Sequence, residues 1–406
     1  MTRIALLPSS YPPSLGGVEE LTRHLAITLA GEGDQVEVWT GTGDDLAPES
    51  VEVRDGLVVR RLPMPLPAAN LSAVSRSITT GSRTLRSLRR AVSAFRPDVL
   101  HVQCFGPNGS YATALSQMSG IPLVITLQGE TVMDDGDVFA VSRTLRTSLR
   151  SGIRRAAAVT ACSAFTLADA ERRFGLTAGR GIVVPNGVSL TDAPDASGVL
   201  PAAVAALAGR PYVLALGRVV EKKGFDLLLD GYAAMDPGRR SADLVIGGTG
   251  PALEALEARS EDSGIAGRVH FTGRLTREQV ASSMAGATVF VMPSRLEPFG
   301  IVVLEAWRAG VAVVASNRGG APEFVENGAS GLLVDPFDAV AVARALERLL
   351  SDPDERRSIA AAGRHRVSSF AWPVIVERYR TVYESVVPRP DPVPSGANGR
   401  PSGAVR

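Results

Sequence analysis

Residues 3–41 read RIALLPSSYPPSLGGVEELTRHLAITLAGEGDQVEVWTG. This is a continuous apolar run, a glycine loop, a segment with Leu21, Leu25 and Leu29 on one helical side, and a second apolar run from Val36 to Thr40. Apolar runs that do not alternate with polar residues belong to strands buried on both faces. When helix-length periodic segments separate them, they build a parallel, doubly wound sheet. The unit recurs through DVLHVQC, PLVITLQG, AAVTACS and GIVVPNG, so the first half reads as a Rossmann-like domain. After a loose stretch from Ser189 to Gly209 it restarts at PYVLALG and continues through ADLVIGG, RVHFTG, ATVFVMPS and VAVVAS. Two α/β domains of one class are expected, 1–188 and 189–371, with the linker near Asn186 to Leu200. One further helix, 372–387, places Val376, Tyr379, Val382 and Tyr383 on a common side. The segment 388–406 is rich in Pro, Gly and Ser and is expected to be a disordered tail, because it has too little apolar surface to order itself.

Composition narrows the partners. The 406 residues suit two or three domains of roughly 150 residues each, and 45% hydrophobic with 21% charged residues is an ordinary globular balance. A net charge of +1 gives no reason to expect a nucleic acid. Ile4 to Leu7 is too short for a secretory apolar region of about 7 to 15 residues, and no run nears the roughly 18 apolar residues of a membrane span. The expected location is the cytoplasm. Cys104 and Cys162 match no metal spacing and read as small core residues.

In doubly wound sheets ligands bind outside the carboxyl ends of the strands, so the loops there carry the chemistry. In SRLEPFGIVVLEAWRAG, Ser294 to Gly310, the loop SRLEPFG follows a strand and opens a helix closed by Gly310. The amides of Phe299, Gly300, Ile301 and Val302 form the open end of that helix, which suits a phosphate. Glu305 lies one turn inside among Ile, Val, Leu, Ala and Trp, so its carboxylate needs donors, and a ribose diol offers two. Glu297, before the helix, can reach hydroxyls on whatever hangs from the phosphates. Ion pairs with Arg295 or Arg308 are the structural alternative for both glutamates.

All but two of the 43 basic residues are arginine, and the two lysines are the neighbours Lys222 and Lys223. In LGRVVEKKG, Arg218 and Lys223 combine a rigid fork with a compact point charge across a turn, a pair able to clamp a diphosphate. A solvated basic turn is the plainer reading. IGGTGP, and SYPPSLGG ending in Gly16 and Gly17, are glycine loops at strand ends where a backbone can approach a ligand.

The segment PSRLEPFGIVVLEAWRAGVAVVASNRGGAPEFVENGASGLLVDPFD resembles the donor-site signature of family 4 glycosyltransferases. GRVVEKKG, VVPNGVSL, GGTGP and YPPSLGGVEE agree with that family in the same order, over about residues 1 to 388. The resemblance implies the GT-B fold: two Rossmann-like doubly wound domains facing across a cleft, with the C-terminal helix crossing back to the first. It implies transfer of a sugar from a nucleotide diphosphate sugar with retention of configuration, and no required metal or other cofactor. By the same resemblance Arg218 and Lys223 would hold the diphosphate and Glu305 the ribose. Glu297 would bind the donor sugar, Phe299, Gly300 and Ile301 would cap sugar and phosphate through their amides, and Gly16 and Gly17 would approach from the first domain. Many relatives carry a histidine where this chain has Gln128, which can hydrogen-bond a hydroxyl but cannot carry a proton. His101 reads as a packed strand-end residue or as part of the cleft wall.

Two other readings compete. A two-domain nicotinamide oxidoreductase predicts a G-x-G-x-x-G turn that SLGGVEE does not supply. A weakly active or inactive sugar-nucleotide-binding regulator is kept open by Gln128. Residues 76–96 form an amphipathic helix with Leu85, Leu88, Val92 and Phe95 on one stripe and Arg83, Arg86, Arg89 and Arg90 off it. It is either an outer helix of the first domain or a peripheral contact with anionic lipid, as for relatives with lipid-linked acceptors. Base, sugar, acceptor and oligomeric state are not readable. The first-domain segment Met133 to Arg150 is expected to be loop that shapes the acceptor side.

Overall fold

The computed structural model describes residues 1–14, 16–43, 47–65, 71–133, 136, 138–191 and 199–388, with the backbone alone for 71–79. The first domain runs β1 (Arg3–Pro8), α1 (Gly17–Gly31), β2 (Gln35–Gly41), β3 (Ser50–Arg54), β4 (Leu57–Leu62), α2 (Leu71–Phe95), β5 (Val99–Gln103), α3 (Pro107–Ser119), β6 (Leu123–Leu127), α4 (Glu130–Met133), α5 (Val138–Val141), α6 (Arg143–Arg155), β7 (Ala158–Ala161), α7 (Ala164–Phe174) and β8 (Gly181–Val183). The second runs α8 (Ala202–Ala205), β9 (Tyr212–Leu216), α9 (Phe225–Ala233), β10 (Asp243–Gly247), α10 (Leu253–Asp262), β11 (Val269–Phe271), α11 (Arg277–Gly286), β12 (Val289–Met292), α12 (Ile301–Ala309), β13 (Ala312–Ser316), β14 (Leu332–Val334), α13 (Ala339–Ser351) and α14 (Pro353–Arg366). The chain then enters α15 (Trp372–Val386).

Each domain holds one sheet, ordered β3-β4-β2-β1-β5-β6-β7-β8 in the first and β11-β10-β9-β12-β13-β14 in the second. Among the described residues every ladder is parallel except the β3–β4 hairpin. The order reverses between β1 and β5 in one sheet and between β9 and β12 in the other, which are the points where such sheets open a crevice for ligands. The loops 217–224 and 293–300 therefore meet at the switch point of the second domain. All five residues of β5, β6 and β13 are buried, as expected of strands covered on both faces. One face of the first sheet packs on α2, α3, α6 and α7, the other on α1 and α15.

The last helix joins the first domain because Ile375, Val376, Tyr379, Val382 and Tyr383 are buried there. Arg380 on its outer side binds Glu32 at 2.7 Å and Asp34 at 3.0 Å. The two passages between domains run side by side, with a single bridge between Val188 and Ala371.

The hairpin β3–β4 was not expected, although its signal stood in the sequence: Asp55-Gly56 turns with both residues at positive φ, 52° and 77°, the two-residue turn that matches strand twist. The short strand β14 was likewise missed. Met133 to Arg150, expected as loop, is instead largely helical. Within α6, Leu145, Leu149 and Ile153 recur at every fourth position on the buried side, a period hidden by the surrounding arginines. Cys162 is buried, but Cys104 is half-exposed at the end of β5, with φ of 60°. The expected tail beyond 388 and the linker residues 192–198 lie outside the described residues.

Candidate functional site

The donor loop begins where β12 ends. Gly300 turns the chain at φ 102° and caps α12, and a Cβ there would lie 2.8 Å from Met292 Sδ, so the tight turn requires glycine. No described group accepts a hydrogen bond from the amides of Phe299, Gly300, Ile301 or Val302. They form the positive end of a nine-residue helix.

Two of the expected ligands meet at this end. Lys223 closes a 3-10 turn, Glu221–Lys223, and its Nζ donates to Glu297 Oε2 at 2.8 Å. Ser294 Oγ donates to the same oxygen at 2.9 Å. Glu297 is only 8% exposed, and its Oε1 accepts from no described residue, so one oxygen is anchored while the other can take a hydroxyl. Lys223 likewise keeps ammonium protons for a second acceptor. The backbone fixes both residues: Arg295 N donates to Lys222 O at 3.0 Å, Glu297 N to Arg318 O at 3.0 Å and Gly320 N to Glu297 O at 2.8 Å. Arg218 stands exposed on the same loop as Lys223.

Glu305 is half-buried rather than fully enclosed. No described residue donates a hydrogen bond to its carboxylate, and desolvation holds the carboxyl above its usual range, with Arg308 pulling the other way. Hydroxyls donated to a carboxylate favour its ionised form. If Glu305 takes the ribose, nucleotide affinity should therefore rise with pH through this raised carboxyl and fall as pH drops below it. Isothermal titration of the parent and of Glu305→Gln across pH 4.5 to 7.5 would measure this; an equally pH-dependent affinity in the variant would remove the ribose role.

The first domain faces this loop with the ends of β5, β6 and β7. Gly16, which precedes α1, is extended at φ 176° with the Glu19 carboxylate against it, whereas a Cβ on Gly17 would meet open space. Gln128 follows β6, and its Oε1 is buried without a hydrogen-bond partner. His101 is fully buried in β5 and burial pushes its imidazole down to about 3, so it is the packed neutral residue of the two readings.

Several site residues were missed. Glu130, two positions after Gln128, accepts from Phe105 N at 2.6 Å and Gln128 N at 2.7 Å. Burial still pushes its carboxyl up to about 7. Ser163 Oγ donates to Pro298 O in the donor loop at 2.6 Å. Glu323 of the second domain accepts from Ala164 N at 2.7 Å and Phe165 N at 2.8 Å, so it completes the cap of α7 in the first. Arg277 and Glu20 form an ion pair between the domains. The acid in LQGE and the acid in GGAPE were visible in the sequence. Their distant partners were not, because Phe105 N and the first amides of α7 lie in other parts of the chain.

Residues 16–187 match the family model for the glycosyl transferase 4-like domain, and residues 201–366 the model for glycosyl transferases group 1. A phosphatidyl-myo-inositol mannosyltransferase of Mycolicibacterium smegmatis is 30% identical over 381 residues, 91% of this chain and 90% of that one. The chain belongs to the family 4 glycosyltransferases. Another relative in the family, a GDP-mannose-dependent alpha-(1-6)-phosphatidylinositol monomannoside mannosyltransferase of Mycobacterium tuberculosis, is 39% identical over 180 residues. That match spans 42% of this chain and 47% of the relative, less than half its length. Among solved structures, the sucrose-phosphate synthase of Thermosynechococcus elongatus superposes with a TM-score of 0.76 at 25% identity, covering 95% of this chain and 98% of that one. The two facing parallel-sheet domains are thus the GT-B fold of these glycosyltransferases.

Proposed function

We propose that this glycosyltransferase moves a sugar from a nucleotide diphosphate sugar to an acceptor hydroxyl, with retention of configuration and without a metal. The observation that carries the reading is the set of unpartnered amides from Phe299 to Val302 opening beside the Lys223–Glu297 pair. In the transfer the bond from the anomeric carbon to the diphosphate breaks, and the acceptor oxygen bonds that carbon on the same face. The acceptor's proton passes to the leaving phosphate oxygen. Charge growing on that oxygen is stabilised by Lys223, Arg218 and the helix amides, fixed before the reaction. Glu297 Oε1 holds a hydroxyl of the departing sugar.

A thermal-shift panel of UDP, GDP and ADP, alone and carrying sugars, tests this. A ligand at about 100 times its dissociation constant adds about 2.7 kcal/mol, an upward shift of roughly 5 to 10 °C. No shift with any nucleotide would end the reading. Binding without turnover of any donor, water included as acceptor, would favour the regulatory alternative.

A lipid-linked acceptor met at a membrane surface is the finer part of the proposal. The named relatives act on phosphatidylinositol compounds, and no described helix is long and apolar enough to cross a membrane. In α2, Leu85, Leu88, Val92 and Phe95 pack into the first domain's core while Arg83, Arg86, Arg89 and Arg90 stay exposed. Contact with lipid would therefore be electrostatic rather than by insertion of that stripe. Flotation with vesicles of phosphatidylglycerol should carry the parent upward and leave Arg86→Glu/Arg90→Glu behind. Equal behaviour of the two proteins would remove the contact from α2.

A further inference from the structure

Behind Gln128 runs a line of buried polar side chains for which the transfer step above has no use. Gln128 Nε2 donates to Gln103 Oε1 at 3.1 Å. Gln103 Nε2 lies 3.2 Å from His101 Nε2 and donates to the Tyr379 hydroxyl at 3.4 Å. His101 Nε2 is also 2.7 Å from Thr126 Oγ1, and its Nδ1 is 2.7 Å from the Tyr383 hydroxyl. The imidazole packs against the rings of Tyr379 and Tyr383, with centroids 5.1 and 5.5 Å away, and those two rings stack on each other. Both tyrosines belong to α15, so the line ends on the helix that returns from the second domain.

The polarity of this line follows from which atoms can donate. A neutral imidazole has one N–H and one acceptor nitrogen, and an amide nitrogen can only donate. Because Gln103 turns its amide nitrogen toward His101 Nε2, that nitrogen accepts and Nδ1 carries the proton, which it donates to Tyr383. Gln103 then has only its carbonyl for Gln128, and Gln128 must offer its NH2 in return. What remains is Gln128 Oε1, buried and without a partner. Leaving a buried acceptor unsatisfied costs roughly 1 to 3 kcal/mol, a cost that a hydroxyl donor would remove. The next residue, Gly129, is pressed against Pro298 of the donor loop: a Cβ there would lie 2.2 Å from Pro298 Cγ. With the opposite tautomer of His101 both amides would turn, and Gln128 would show a donor instead.

We propose that Gln103 is a positioning residue: it presents the carbonyl oxygen of Gln128 to a substrate hydroxyl, in a direction set by the Nδ1–H tautomer of His101. The proposal deepens the transferase reading and rests on it for the identity of the hydroxyl. The test uses the full chain labelled with 15N at histidine and glutamine, as the parent, Gln103→Leu and Gln103→Glu. The parent should show His101 as the Nδ1–H tautomer and a slowly exchanging Gln128 amide. Gln103→Leu should speed that exchange roughly tenfold or more, about 1.4 kcal/mol of lost protection. Gln103→Glu should keep it slow, because a carboxylate still accepts from Gln128, and should shift the His101 proton to Nε2. An Nε2–H tautomer in the parent, or unchanged exchange in Gln103→Leu, overturns the proposal. With a nucleotide sugar found by the panel, turnover should fall roughly tenfold in Gln103→Leu and recover in Gln103→Glu; equal turnover in all three also overturns it. If the panel finds no donor, the transferase reading falls, while the two spectra still decide how Gln128 is held.

Discussion

Lys223→Ala is expected to lower turnover of the donor by about 2 to 3 kcal/mol, roughly 30- to 150-fold, the upper range for a hydrogen bond to a charged group. Two losses combine in that figure. The ammonium no longer meets the leaving diphosphate, and Glu297, only 8% exposed, is left with Ser294 as its one described side-chain donor. A carboxylate that loses its counter-charge in a buried site is destabilising in itself, so the loop carrying Glu297 should shift as well. Glu297→Gln added to Lys223→Ala should accordingly cost less than the sum of the single changes, since the two groups are in contact. Steady-state kinetics of the four proteins would measure the coupling. Additive losses would mean that the pair acts as two separate ligands, and a Lys223→Ala enzyme with parental turnover would remove the lysine from the site. The thermal midpoint should move by only a few degrees, because the pair lies at the rim of the core.

Gly319→Ala should be among the most damaging small substitutions near the site, though Gly319 touches no substrate in the proposed mechanism. Its φ is 124°, and a Cβ would stand 1.9 Å from the carbonyl oxygen of Glu297. The obstacle is backbone, which cannot swing aside as a side chain can, and Gly319 is bridged to Glu297 in the loop itself. The strained backbone alone costs roughly 1 to 3 kcal/mol. Urea unfolding should show at least that loss, and nucleotide affinity should drop roughly tenfold or more as Glu297 and the amides beyond it are displaced. Gly17→Ala is the contrast: nothing lies within 4 Å of its Cβ position, so stability should hold while donor turnover falls if that backbone approaches the diphosphate. Parental affinity in Gly319→Ala would show that the donor loop does not depend on this bridge.

Some of these features are carried by the amino-acid string alone and others are not. That β6, β9, β12 and β13 are buried parallel strands could be read directly, because burial on both faces demands unbroken apolar runs over five residues or so. The end of α12 was equally legible, since Gly300 and Gly310 flank a run with no other helix breaker. The hairpin β3–β4 carries its signal in Asp55-Gly56, both at positive φ. The helix α6 was hidden because arginine covers its outer turns and only three apolar residues mark its inner side.

By itself, then, the sequence determined the two-domain α/β plan and named the loops at the strand ends, because periodicity and glycine placement are local properties that each segment carries. It also set Lys223, Glu297 and Glu305 apart by residue type. Only the tertiary structure decided that Lys223 and Glu297 are partners, that Glu323 caps a helix of the other domain, and that His101 reaches Gln128 through Gln103. Those contacts join residues up to 159 positions apart, and their strength depends on burial and direction, which no single segment contains.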